Sequence, residues 1–293
     1  MNKKLTIKRL VIYLFLTLGL VWIPMIAFFA TGGKYEDPMT NLILAYSMLC
    51  PGIAVLITRK VTREGVPIVG KNSLKLGIDL KNRKWIWFVL AFLSPAIYWD
   101  LGQLVLMAIF PETYNPAGFD ALNMPRYALI LLPIAGWITG ITGSIGALGE
   151  EIGWRTYLYP KLEELIGPIG SVLVGGIIWG VWHYPAIYMG HSFGTGYWGE
   201  PWSGFLVFTI NCIFMGALLH LLTQKTGSVW PAAILHAVNN SGARAFGLCL
   251  DTDVLTGIWA EAPVLLFITD SALLIMGVIA TVMICKMKKE EIS

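Results

Sequence analysis

Residues Gly146 to Pro160 read GALGEEIGWRTYLYP, and the course of the chain turns on them. They close a long apolar run that begins near Tyr127. Glu150 and Glu151 stand side by side there, with Arg155 following. A charge at the centre of a bilayer costs at least about 2.5–3.5 kcal/mol on insertion scales. The charges therefore mark either the end of a membrane span or a purpose inside one. We expect the helix to continue through Glu150 toward Pro160, which keeps both carboxylates within it.

The composition sets the class. The chain is 56% hydrophobic and 13% charged, where a soluble domain carries roughly 25% charged residues. Mean hydropathy is +0.67. These values predict an all-α, polytopic integral membrane helix bundle. Cys50, Cys212, Cys249 and Cys285 show no paired spacing and read as small apolar residues, not as a disulfide or metal framework. MNKKLTIKR precedes an apolar run from about Leu10 to Ala30. That run is too long for a signal h-region and lacks an A-x-A site, so it reads as the first membrane helix.

A spanning helix needs about 20 apolar residues. Eight stretches qualify: about 10–30, 41–59, 85–110, 128–150, 169–188, 203–223, 228–249 and 263–285. The reading is one membrane domain over 1–293, with its polar core in spans four to seven, 127–249. With the N-terminus inside, 18 of the 21 Lys and Arg fall on the inside. They lie in the N-terminal segment, at Arg59 and in the long connection 60–84, at Arg155, Lys161 and Lys225, and at the C-terminus. Only Lys34 and Arg126 fall outside, and Arg244 lies within a span. The outside connections carry Glu36, Asp37, Glu112, Asp120, Glu200, Asp251, Asp253 and Glu261. That asymmetry predicts both termini in the cytoplasm. Gly136, Gly140, Gly143, Gly146 and Gly149 fall near helical spacing and read as packing glycines.

Ionisable groups inside a span are rare and usually line a site. On a helix, positions four apart share a face and adjacent positions diverge by about 100°. Glu151 therefore pairs with Arg155, and Glu150 is free to face the bundle interior. In span five, IIWGVWHYPAIY places Trp179 and His183 on one face, with Pro185 disturbing the helix just after. In span seven, SVWPAAILHAVNNSGARA starts a helix at Pro231. His236 and Asn240 share a face there, Arg244 continues it and Asn239 lies off it. If span four covers about 137–158, Glu150 and His236 lie about 12 Å from the inner end and His183 about 20 Å. His191 and His220 are set aside for want of a polar partner at helical spacing. Asp100 in span three, with Gln103 on the same face, is a further buried charge.

Taken in order, Glu150-Glu151-x-x-x-Arg155, Trp179-x-x-x-His183 and His236-x-x-x-Asn240 resemble the motifs of the CPBP family. This family, also called Abi, comprises CAAX prenyl proteases and bacteriocin-processing or self-immunity proteins. Its motifs read E-E-x-x-x-R, F-x-x-x-H and H-x-x-x-N. The resemblance covers about 110 residues, and Trp179 departs from it where phenylalanine is usual, at what reads as a packing position. It implies a glutamate-type intramembrane endopeptidase in the cell membrane. Glu150 and His183 would activate a water, His236 and Asn240 would form an oxyanion hole, and Glu151 and Arg155 would support them. No cofactor is then needed.

The chemistry of the residues agrees. Hydrolysis needs a base within reach of water and donors aimed at the developing oxyanion, which His and Asn can supply. Two alternatives stay open. Glu150, His183 and His236 are a ligand set of the kind found in some zinc sites, although H-E-x-x-H is absent. The bundle could instead be a non-catalytic immunity or scaffold protein. A transporter would predict inverted repeats, and none is visible. The expected surroundings are the lipid bilayer and a membrane-associated peptide or protein, with no nucleic acid. The sequence does not decide whether that substrate is prenylated.

Overall fold

A computed structural model describes residues 3–292, apart from 118–119, 121–122, 124, 126, 243–244 and 263–264. Arg126 and Arg244 lie outside the described residues. The architecture is all-helical. Among the described residues, β pairing is confined to one isolated bridge, Tyr114 to Leu250.

The first three helices are α1 (Lys3–Ala30), α2 (Pro38–Val61) and α3 (Trp85–Ile109). In α1 the buried positions Thr6, Leu10, Tyr13, Thr17, Val21 and Met25 form one stripe at helical spacing. Phe15 and Ile23, on the other side, are 78% and 70% exposed. Polar groups turned inward and large apolar groups turned outward are what a lipid solvent selects. Five helical runs are long and apolar enough to cross a membrane by length and composition, and Ser271–Met287 is a shorter apolar helix. The protein is a multi-pass membrane bundle.

The opening stretch lies within the longest of these runs. Helix α4 (Ala128–Gly153) passes through both glutamates and continues as a π-helical turn, Trp154–Leu158, into α5 (Tyr159–Trp182). The wide turn closes with the Tyr159 N–H bonding Trp154 O, five residues back. Pro160, which lacks an N–H, is thereby accommodated at the start of α5. The helix breaks at Gly167, whose φ of 77° is left-handed and favours glycine. The chain then doubles back, so that Ser171 Oγ donates to Tyr159 O at 2.8 Å. The expected continuation past Glu150 holds, and it extends beyond Pro160.

After α5 come the short α6 (Tyr184–Tyr188), α7 (Trp202–Thr226), α8 (Trp230–Asn240), α9 (Thr252–Glu261), α10 (Leu266–Thr269) and α11 (Ser271–Ile292). The expected seventh span, 228–249, differs from what is found. It starts with Pro231 in its first turn as foreseen, but α8 has only 11 residues, about 16 Å at 1.5 Å per residue. Ser241 turns its Oγ back onto Val238 O and Gly136 O, and Gly242 adopts a φ of 67°. Both end the helix. The expected eighth span, 263–285, whose residues 263–264 lie outside the described residues, is divided at Asp270 between α10 and α11.

Two close approaches set the core. A Cβ on Gly149 would lie 2.6 Å from Met48 O, so α4 and α2 meet backbone to backbone. A Cβ on Gly140 would lie 2.8 Å from Val238 Cα, which brings α8 equally close. Gly143 and Gly146 make only ordinary contacts. Asp100 accepts from the N–H groups of Ala245 and Phe246, at 2.7 and 3.2 Å, and so helps anchor the chain beyond α8.

Candidate active site

Helices α2 and α8, packed against α4 through glycine, leave Glu150 and Glu151 buried at 2% and 0% exposure. The split foreseen from helical geometry is present. Arg155 Nε donates to Glu151 Oε2 at 2.8 Å, and neither side chain is exposed. The other oxygen of Glu151 meets His236 Nδ1 at 2.8 Å. Glu151 therefore bridges a guanidinium and an imidazole, a tertiary contact that no spacing on one helix reveals. The guanidinium lies over the Tyr159 and Trp179 rings, at 4.4 and 4.7 Å from their centroids, and such faces attract cations.

Glu150 is held differently. Its Oε2 accepts from Trp179 Nε1 at 2.9 Å and from Trp154 Nε1 at 3.2 Å. Oε1 accepts from no described residue. Trp179, read from the sequence as packing, is thus also a hydrogen-bond donor through an indole N–H that phenylalanine lacks. Trp154 is a second such donor, four residues after Glu150, which the sequence reading passed over.

His183 caps the end of α5. Its Nδ1 lies 2.8 Å from Trp179 O. A carbonyl only accepts, so Nδ1 carries the proton and Nε2 of the neutral ring is left with a lone pair. His236 is fixed the same way, its Nδ1 donating to the ion-paired Glu151 carboxylate. Its Nε2 accepts when the ring is neutral and donates only as the imidazolium. The Oδ1 of Asn240 accepts from Asn239 Nδ2 at 3.2 Å, which leaves the Asn240 amide N–H groups uncommitted to Asn239. The Oδ1 of Asn239 accepts from Tyr98 Oη at 2.5 Å and Trp99 Nε1 at 3.1 Å.

Glu150, His183, His236 and Asn240 all line one cavity of about 710 Å³. The difference in depth expected between His183 and the other two does not keep them out of one cavity. His191, set aside from the sequence, lines the same cavity and meets Tyr35 Oη through Nδ1 at 2.9 Å. His220 stays outside it, but it is not without a partner at helical spacing. Its Nε2 lies 2.8 Å from the Nε2 of Gln224, four residues on, and 3.0 Å from Glu163 Oε2. Among the described residues, no group of three or more His, Cys, Asp or Glu stands ready to hold a metal ion, Glu150, His183 and His236 included.

Comparison with known protein families finds a match over this part of the chain. Residues 133–242 match the family described as type II CAAX prenyl endopeptidase, Rce1-like. A 117-residue stretch, 39% of the chain, is 27% identical to a protein of Methanococcus maripaludis named CAAX prenyl protease 2. That match spans 43% of the relative's length. Every residue of the proposed constellation falls between 133 and 242, the region over which the chain is similar to the Rce1-like family.

Proposed function

We propose that the protein is an intramembrane endopeptidase of the cell membrane that hydrolyses a peptide bond in a membrane-associated peptide without a metal ion. The observation that carries this reading is the gathering of Glu150, His183, His236 and Asn240 around one cavity. Glu150 Oε1 takes a proton from a water that His183 Nε2 helps to orient. The water oxygen attacks the carbonyl carbon. The oxyanion that forms is met by an Asn240 amide N–H and by His236 Nε2–H. Since Nδ1 is committed to Glu151, His236 fills this role as an imidazolium. Two carboxylates, one guanidinium and one imidazolium then balance in formal charge. On collapse, the C–N bond breaks and the proton held by Glu150 passes to the leaving amine. Glu151 and Arg155 do not touch substrate in this scheme, and position His236.

The relative's name points to a prenylated chain end as one substrate class, and bacteriocin-related peptides are another. Membrane peptides compared by proteomics between cells with wild-type protein and cells with Glu150→Ala would identify the substrate. Peptides that persist uncleaved only in the variant support the reading. Identical peptide sets from the two strains contradict it.

A further inference from the structure

The basic end of the bundle and the cavity lie at opposite ends of the same helices. At one end, Glu64 accepts from Lys161 Nζ at 2.6 Å and lies 3.4 and 3.9 Å from Arg9 and Arg59. These cations come from three segments that the charge asymmetry assigns to the inside. The cavity takes its residues from the other halves. Met25 of α1 lines it, 16 residues from Arg9, or about 24 Å along the helix. Leu44 of α2 lines it, 15 residues from Arg59, or about 22 Å. In α8 it is the late residues His236 and Asn240 that line it, whereas Trp230, at the start, donates to Leu76 O of the connection 62–84.

The segments around the far end of the cavity agree. His191 and Ser192 line it, and His191 is tied to Tyr35 in the connection between α1 and α2. Trp259 of α9 lines it too, and Trp198 N donates to Ala260 O at 2.7 Å, so these two outer segments are joined. Glu150 is therefore at the inner end of a cavity walled by helices, with outside connections around its outer end.

We propose that the cavity is entered from the extracytoplasmic face, and that its substrate is an exported or outer-leaflet peptide rather than a chain end presented from the cytoplasm. This rests on the endopeptidase reading for the word substrate, but the direction of access does not. Two cysteine variants test the direction, in a background where Cys212 and Cys285 are serine. Ser192→Cys sits at the cavity and Lys60→Cys at the basic end. Intact cells are treated with a membrane-impermeant thiol reagent. Ser192→Cys should label without permeabilisation, and Lys60→Cys only after it. Labelling of Lys60→Cys in intact cells, or protection of Ser192→Cys until the cells are opened, overturns the proposal.

A second arm separates access from catalysis. An N-palmitoylated decapeptide library is added to sealed right-side-out and inverted vesicles holding the Cys-containing wild type. Cleavage confined to right-side-out vesicles supports the proposal, and cleavage confined to inverted ones overturns it. Labelling as predicted with no cleavage in either vesicle leaves the access route standing and counts against the endopeptidase reading.

Discussion

Glu64 is a half-buried carboxylate and Glu150 a buried one, and their surroundings could hardly differ more. Glu64, at the basic end, has Lys161, Arg9 and Arg59 around it and accepts from Tyr157 Oη at 3.0 Å. Burial pushes its carboxyl up, but Lys161 and Arg59 outweigh that and hold it below the usual carboxylate range. Glu150 has two neutral indole donors on one oxygen and a cavity beside it. A carboxylate surrounded by cations has its charge used in holding segments together. One steadied by neutral donors keeps its charge for whatever enters the cavity. Glu151, one residue from Glu150, belongs with Glu64 in kind, because Arg155 and His236 take both its oxygens.

The contrast can be broken at several points, the largest first. Asn240→Ala removes a proposed oxyanion donor and should lower kcat by about 10²–10³, with the fold intact by circular dichroism. An unchanged kcat would take Asn240 out of the site. Trp179→Phe keeps the ring and deletes one hydrogen bond to Glu150. We expect kcat to fall by about tenfold, in line with about 1.5 kcal/mol for a hydrogen bond to a charged group, with KM little changed. A fall in thermal stability with full activity would show that the indole only packs.

Glu64→Gln should do the reverse, lowering unfolding free energy by about 1–3 kcal/mol while leaving cleavage intact. The sign in pH follows. A depressed carboxylate contributes its stability above the unfolded value of about 4.3 and loses it as pH falls further through the folded value. Wild type should therefore lose more thermal stability than Glu64→Gln on acidification below about pH 4.3, and parallel curves would count against the paired cluster. The smallest expected effect is that of a chelator. Activity should survive complete metal removal, verified by elemental analysis. Its loss and recovery with added zinc would favour the Glu150, His183 and His236 ligand reading.

Much of this contrast was legible in the residues alone. The i,i+4 rule separated Glu151 and Arg155 from Glu150, and it paired His236 with Asn240, because a helix face is a local property. The helix past Glu150 was legible because no proline interrupts the chain between Glu150 and Pro160. The indole donors were not read, because a tryptophan in a span looks like packing until its N–H has a partner. The bond from His236 to Glu151 joins positions 85 residues apart and has no local signature. The short α8 is a different case. Asn239, Asn240, Ser241 and Gly242 are poor helix formers in sequence, but the apolar residues beyond them masked the stop. The pair His220 and Gln224 was a signal available at helical spacing and overlooked.

The account's central claim is that Glu150 acts while its neighbours hold. The most direct measurement is cleavage of a membrane peptide by reconstituted Glu150→Gln protein, with thermal unfolding followed on the same sample. The amide is nearly isosteric and can still accept from both indoles, so the account predicts an unfolding midpoint close to wild type and a rate lower by about 10²–10⁴. A variant that folds like wild type and cleaves at the wild-type rate would contradict it.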